Sequence, residues 1–219
     1  MASVKDSTGN HERYVSESRP FELVANPPIN KPSSWQNKDM DSAMEDWGMA
    51  PLIEKYGEKK VREKVAEMYK ALSGGMVVTR LIGLNQDDRG PNDMAIVHVW
   101  IGANYPLFRH AHPASGDSIY YVIAGELMLG SRSLGPGSGF FLPNGMPYKY
   151  SGGPDGCELL EIRVGSGIPD TPIIVFRESS LDSIQQIIDK ANENRHKWQA
   201  PEKIGDTALR QAEALLNGM

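Results

Sequence analysis

Two histidines separated by one residue are the feature of this sequence best suited to chemistry. They lie in the stretch His110-Ala111-His112, just before the strand-like segment 118–127. Because side chains alternate between the two faces of a β-strand, both imidazoles project from one face if this stretch is extended. Two imidazoles that converge in this way can bind one divalent transition metal. The spacing therefore predicts half of a metal site at His110 and His112.

Glycine and proline residues at fixed intervals surround this pair. Gly125 follows it, and Gly137, Pro143 and Gly145 come next along the chain. Together these stretches resemble the two motifs of the cupin superfamily, G-x5-H-x-H-x3-4-E-x6-G and G-x5-P-x-G-x2-H-x3-N. In that family two histidines, a glutamate and a third histidine usually hold one divalent metal. The resemblance covers roughly residues 76–168 and implies an all-β core, a cupin or jelly-roll β-barrel, with helical additions at both ends.

The glutamate position of the first motif is displaced by one extra residue. Counted forward from His112 it falls on Asp117, and counted back from Gly125 it falls on Ser118. A slip of one residue reverses the face that each side chain of a strand occupies. If a later bulge absorbs the slip, Asp117 reaches the metal. If the slip is absorbed before Ser118, then Ser118 and Tyr120 face inward and the carboxylate ligand is lost.

The third histidine of the resemblance falls on a tyrosine, Tyr148, directly after the turn at 143–147. A phenolate can ligate iron, whereas a neutral phenol, with an ordinary pKa of about 10, is at least as suited to proton transfer. From these positions we predict the metal ligands His110, His112, Asp117 and Tyr148, with His98 in reserve. The candidate catalytic residues are Tyr148 and Tyr120. These ligand types do not distinguish Fe, Mn, Ni and Zn.

Other polar residues in the predicted strands have structural interpretations too. His98 shares a strand face with apolar residues such as Ile96 and Trp100, which favours a buried, hydrogen-bonded structural role. Glu161 and Arg163 share one face of a later strand, where an exposed ion pair is expected. An inward-facing pair would instead act as a substrate clamp.

Alternation and breaker residues predict the remaining elements. Strands are expected over 76–82, 94–101, 118–128, 138–142, 157–164 and 172–176, as a jelly roll requires. Helices are expected from Pro51 to Leu72, from Ser180 to Ala191 and over 207–216. We expect one structural unit: an arm and helix at 1–75, the barrel at 76–178 and C-terminal helices at 179–219.

The first fifty residues are polar and interrupted by prolines, which disfavours regular helix. Trp35 and Trp47 give this arm apolar surface to bury. Because cupin barrels resemble one another in pairing through sheet edges and terminal arms, a homodimer is expected.

Composition excludes several classes of partner. The 219 residues carry a formal net charge of −5 without a long basic run, which argues against nucleic acid and anionic membranes. The single Cys157 rules out an internal disulfide, and the polar N-terminus lacks the apolar region of a signal peptide. We expect a soluble, cytoplasmic protein with a small-molecule substrate.

Three functions follow from the sequence. The first is a mononuclear metal-dependent cupin enzyme, a dioxygenase or lyase acting on a small, aromatic or carbonyl-bearing molecule. The second is a metal-free isomerase or cyclase that uses Tyr148 as acid or base. The third is a ligand-binding module without turnover.

Overall fold

The computed structural model describes residues 2–5, 12–15, 22–27, 29, 48–83, 94–164 and 174–217. The strands are β1 (Ala2–Lys5), β2 (Glu12–Val15), β3 (Glu22–Ala25), β4 (Met76–Ile82), β5 (Met94–Ile101), β6 (His110–Ala111), β7 (Asp117–Leu129), β8 (Arg132–Leu134), β9 (Gly139–Leu142), β10 (Ser151–Val164) and β11 (Val175–Phe176). The helices are α1 (Ala50–Tyr56), α2 (Glu58–Leu72), α3 (Leu181–Asn194) and α4 (Asp206–Asn217), with a 3-10 turn at Arg195–Lys197.

An antiparallel sheet forms the core of the fold. Its strands run in the order β4-β5-β10-β7-β8, and β9 also pairs with β7. A second layer forms where the chain before β6 runs antiparallel to residues 148–152: Leu107 N donates to Tyr150 O (3.1 Å) and His110 N donates to Tyr148 O (3.0 Å). The all-β core predicted from the sequence is confirmed, although the strand pairs of the described residues do not close the main sheet into a continuous barrel.

Register decides which side chains of the main sheet face the second layer. On β10, Leu159 lies opposite Val99 of β5 and Val122 of β7. Two residues later, Glu161 lies opposite Tyr120 of β7. All five side chains are buried. Since side chains alternate along a strand, this register places Glu161 and Arg163 on the inner face of the sheet.

The closing glycine of the first motif lies at a point where two strands approach closely. Gly125 adopts φ +71°, and a Cβ atom there would lie 2.3 Å from the carbonyl oxygen of Gly156. The pairing of β7 with β10 shifts register between Gly152 and Cys157, directly beside this contact. Only glycine satisfies both the backbone angle and the contact.

Helices cover the fold at its C-terminal end. Ser180 caps α3, its hydroxyl accepting from Ser183 N at 3.1 Å, and the predicted apolar stripe of this helix is buried. α3 also contacts α2, where Lys64 Nζ donates to Gln185 Oε1 at 2.7 Å. The single helix predicted from Pro51 to Leu72 is divided in two, because Gly57 takes φ +85° between α1 and α2.

The N-terminal region contains more regular structure than its prolines suggest. β1, β2 and β3 pair in order as a small antiparallel sheet, and β3 lies beside β4. Trp35 and Trp47, on which the homodimer prediction depends, lie outside the described residues. In the part of the chain that the structure describes, no helix is both long enough and apolar enough to cross a membrane.

Candidate active site

The two histidines predicted to bind a metal come together on and just after β6. His110 Nε2 lies 3.1 Å from His112 Nε2. His110 Nδ1 lies 2.9 Å from the carbonyl oxygen of Phe108, which can only accept, so Nδ1 carries the proton. In neutral His110 the Nε2 lone pair is then directed at His112. Metal-ligating histidines are commonly oriented by such a bond from the other ring nitrogen.

His110 is held in its neutral form. Burial, because the charged ring would lose its water, and to a smaller extent the neighbouring His112 lower its pKa from 6.5 to about 3. At neutral pH the ring therefore carries no charge, and its Nε2 lone pair is available to a cation or a proton donor.

Tyr148 lies against both imidazoles. Its backbone pairs with His110, and its ring centroid is 4.6 Å from that of His110 and 6.1 Å from that of His112. Burial, with the nearby Tyr120 and Glu161, raises the pKa of Tyr148 well above its ordinary value. The hydroxyl is therefore protonated at neutral pH, and it can donate a proton or a hydrogen bond.

Tyr120 stands behind Tyr148. The two hydroxyl oxygens are 2.6 Å apart and both side chains are buried. Burial also raises the pKa of Tyr120. Tyr148 lines the cavity, and Tyr120 contacts its hydroxyl without lining the same cavity. A catalytic role for Tyr120 stays a prediction.

A cavity of about 180 Å³ lies between the two layers of the fold. One part of its wall is apolar and the other combines the histidine pair with phenols and a charged pair. The lining residues are Met76, Val78, Val99, Leu107, Phe108, His110, His112, Tyr148, Tyr150, Glu161, Arg163 and Ile174. This mixture suits a small molecule with an apolar body and polar substituents.

The prediction that Asp117 is a metal ligand is wrong. Asp117 is exposed, and its Oδ1 accepts from Asn144 N at 2.9 Å. The extra residue of the motif is absorbed before Ser118, because Ser118 pairs with Leu142 and with Arg163 of the inner face. The motif's carboxylate position is thereby lost from the site, which is the second of the two arrangements that the sequence allowed.

His98 cannot serve as the reserve ligand either. It lies on the outer face of the main sheet, where its Nε2 is 2.8 Å from Glu158 Oε2 and both side chains are fully buried. Glu158 also accepts from the backbone amides of Gly205 (2.7 Å) and Thr207 (2.9 Å) at the start of α4. His98 is the buried structural histidine that its apolar strand favoured.

Glu161 and Arg163 lie in the cavity wall rather than on the exposed surface that was expected of them. Arg163 Nη2 donates to Glu161 Oε2, and Tyr150 Oη donates to Glu161 Oε1 at 3.5 Å. The side chains are only 6% exposed for Glu161 and 12% for Arg163. Alternation in the sequence placed the two residues on one face, but only the pairing of β10 shows that this face is the inner one.

The histidine pair fits two adjacent positions around a metal. Two nitrogens about 2.1 Å from one cation, at an angle of about 95°, lie about 3.1 Å apart, which is the distance between the two Nε2 atoms. A hydrogen bond between the rings explains the same distance. No group of three or more His, Cys, Asp and Glu side chains within the described ranges is placed to hold a metal. Among the described residues, a further ligand beside the imidazoles would therefore be of another type, such as the Tyr148 hydroxyl.

Several known structures are similar to part of this chain. They include an RmlC-like cupin from Shewanella frigidimarina (23% identity, TM-score 0.35, covering 42% of this chain and 78% of that one). DMSP lyase DddQ from Ruegeria pomeroyi has 28% identity and a TM-score of 0.37, with 46% and 51% covered. The polyketide cyclase RemF from Streptomyces resistomycificus has 20% identity and a TM-score of 0.40, with 54% and 82% covered.

Comparisons at the level of sequence families find nothing: neither a protein-family model nor a curated protein matches the chain. The structural similarities, at TM-scores of 0.40 or below in these examples, assign no activity to it. Its chemistry has to be argued from its own cavity.

Proposed function

We propose that this protein is a cupin-type enzyme that acts on a small aromatic or carbonyl-bearing molecule, with a divalent transition metal held by His110 and His112. The observation that carries the proposal is the pair of Nε2 atoms 3.1 Å apart at the cavity wall. The bond from His110 Nδ1 to the Phe108 carbonyl supports it, because this bond fixes the tautomer that a metal requires.

Such a cation, when bound, would supply Lewis acidity toward a substrate oxygen. The imidazoles hold it with few protein ligands, so positions remain for the substrate. The apolar side chains of the cavity wall, among them Val99 and Phe108, bind the body of the substrate and exclude water.

Tyr148 is the proton donor of the proposed reaction. Its raised pKa keeps the phenol protonated at neutral pH, so it acts first as an acid rather than as a base. When Tyr120 donates its hydrogen to the Tyr148 oxygen, the Tyr148 hydrogen is directed away from that bond and toward the cavity. A positioned acid of this kind is used directly in lyase chemistry, which we therefore favour over oxygenation.

A second candidate is metal-free acid–base catalysis by the same residues, as in an isomerase or cyclase. This candidate is favoured by the set of possible ligands, because the described residues offer two imidazoles and no third ligand among His, Cys, Asp and Glu. In this case His110 and His112 share a hydrogen bond, and Tyr148 beside them is the acid–base group.

Metal content separates the two candidates. The full-length protein is purified without an affinity tag, and its transition metals are measured by mass spectrometry. The proposal predicts a near-stoichiometric metal in the wild type and its loss in the double variant His110→Ala/His112→Ala. His196→Ala, at an exposed histidine of the 3-10 turn, is the matched control and should retain the metal. Equal metal in the double variant and the control rules out this site.

A further inference from the structure

The guanidinium of Arg163 is buried in the cavity wall with unused hydrogen-bonding capacity. Its Nη2 donates to Glu161, while its Nε is fully buried and has no partner among the described residues. A buried charged donor without an acceptor is costly, so an acceptor from a bound molecule would be favourable there.

The strands on either side of Arg163 carry small side chains opposite it. In the register of the sheet Arg163 lies opposite Ala95 of β5 and Ser118 of β7, which are two small residues. The guanidinium also adjoins the hydroxyl of Tyr120, whose pKa it lowers through charge and a hydrogen bond against the larger effect of burial. A group bound by Arg163 would thus lie close to the Tyr120–Tyr148 pair.

We propose that Arg163 binds a carboxylate of the substrate, so that the substrate class is small carboxylic acids with an apolar body. This inference rests on the proposed function only in placing the substrate in the same cavity. A carboxylate oxygen accepts from the guanidinium where Arg163 lines the cavity, and charge-assisted bonds to a planar guanidinium are the strong, directional ones. Glu161 holds the guanidinium in place and offsets its charge while the cavity contains no substrate.

The charges that face the cavity predict how substitutions should change the binding of a carboxylate. Arg163 and Glu161 form an ion pair in the cavity wall and offset each other. A carboxylate therefore gains from Arg163 and is opposed by Glu161. Removing the Glu161 charge should strengthen carboxylate binding, and removing both charges should abolish the preference for it.

The test compares benzoate with its neutral analogue benzamide by isothermal titration calorimetry on the full-length protein. The wild type should bind benzoate about tenfold more tightly or better, the scale of a hydrogen bond to a charged group. The ratio of the two affinities should persist or grow in Glu161→Gln. It should fall to about one in the double variant Glu161→Gln/Arg163→Gln, which removes both charges together so that neither remains unpaired. Arg132→Gln, at an exposed arginine of β8, is the control and should keep the wild-type ratio.

If the double variant does not fold by circular dichroism, Arg163→Lys replaces it. This variant keeps the charge and loses the planar guanidinium, so the preference should also fall. Equal affinity for the two probes in the wild type, binding of neither probe, or a preference that survives loss of the guanidinium overturns the proposal. Metal content of the same preparations is measured separately, so failure of carboxylate recognition is distinguished from failure of the histidine metal site.

Discussion

The hydroxyl oxygens of Tyr120 and Tyr148 lie 2.6 Å apart in the interior of the protein. The two residues are 28 positions apart in the chain, and the pairing of β7 with β9 and β10 positions the first of them. Of the two, only Tyr148 lines the cavity. In the proposed reaction the pair links the proton donor at the cavity wall to the residue that positions it.

Tyr148→Phe should separate chemistry from packing. Loss of the hydroxyl leaves Tyr120 without its partner, at a cost of about 1–3 kcal/mol in the free energy of unfolding. With an identified substrate, kcat/KM should fall roughly 100-fold or more, because a positioned proton donor is lost. Tyr121→Phe, at an exposed tyrosine on the opposite face of β7, is the control and should leave kcat/KM unchanged. Turnover by Tyr148→Phe within a few fold of the wild type would show that Tyr148 only fills space.

Tyr120→Phe should show the smaller effect of a positioning residue. We expect kcat to fall by less than in Tyr148→Phe. The acidic limb of the pH–rate profile should stay in place and the basic limb should be displaced, because the environment of Tyr148 changes. The measurement is kcat as a function of pH for the two variants. Identical pH profiles for Tyr120→Phe and the wild type would contradict the link between the hydroxyls.

The His98–Glu158 pair should make stability depend on acid pH. Burial alone would raise the pKa of Glu158, but hydrogen bonds from His98, Gly205 and Thr207 outweigh it and lower the pKa from 4.5 to about 2. A carboxyl with a lowered folded-state pKa contributes stability that is fully present above about pH 4.5 and is lost as the pH falls toward 2.

Glu158→Gln tests this pair by urea unfolding. At pH 7 the variant should be less stable by roughly 3 kcal/mol, the scale for breaking a buried pair. The difference from the wild type should shrink steadily between pH 4.5 and pH 2. Glu126→Gln, which replaces a carboxylate elsewhere on the sheet, is the variant with which Glu158→Gln is compared. A difference for Glu158→Gln that stays constant over this range would show that the carboxylate charge does not matter.

Two glycines with the same backbone angle test the close approach of β7 and β10. Gly125 and Gly145 have φ +71° and +72°, but only Gly125 has a neighbouring atom that a Cβ would strike. Gly145→Ala should cost about 1–2 kcal/mol from the angle alone, and Gly125→Ala should cost clearly more. Thermal unfolding of both variants gives the comparison. Equal losses would show that the contact with Gly156 relaxes freely.

The homodimer predicted from the sequence remains a prediction, because its arm lies largely outside the described residues. Light scattering of the full-length protein at micromolar concentration should give twice the chain mass of 24.1 kDa. A monomer under these conditions would contradict it.

Local patterns predicted much of the fold. The strands at 76–82 and 94–101 begin and end where their β-branched and aromatic runs do. The stripe of α3 identified the buried face of that helix in the same way. These features depend on a few neighbouring residues, so sequence alone suffices.

Contacts between distant strands decided the rest. Whether Asp117 or Ser118 faces the cavity depends on pairing with Leu142 and Arg163, which no local pattern specifies. The inward direction of Arg163 likewise depends on the register shift of β10 between Glu158 and Leu159. The sequence could state both alternatives in each case, but it could not choose between them.

The most direct test of the central claim is to observe the side-chain nitrogens of the histidines by ¹H–¹⁵N NMR as zinc is added to metal-free, full-length protein. At pH 7, His110 should carry its proton on Nδ1, as its bond to Phe108 requires. Addition of one equivalent of Zn(II) should shift the Nε2 resonances of His110 and His112 together. Those of His98 and His196 should stay in place. Unchanged resonances of His110 and His112 at saturating zinc would contradict a metal site at this pair.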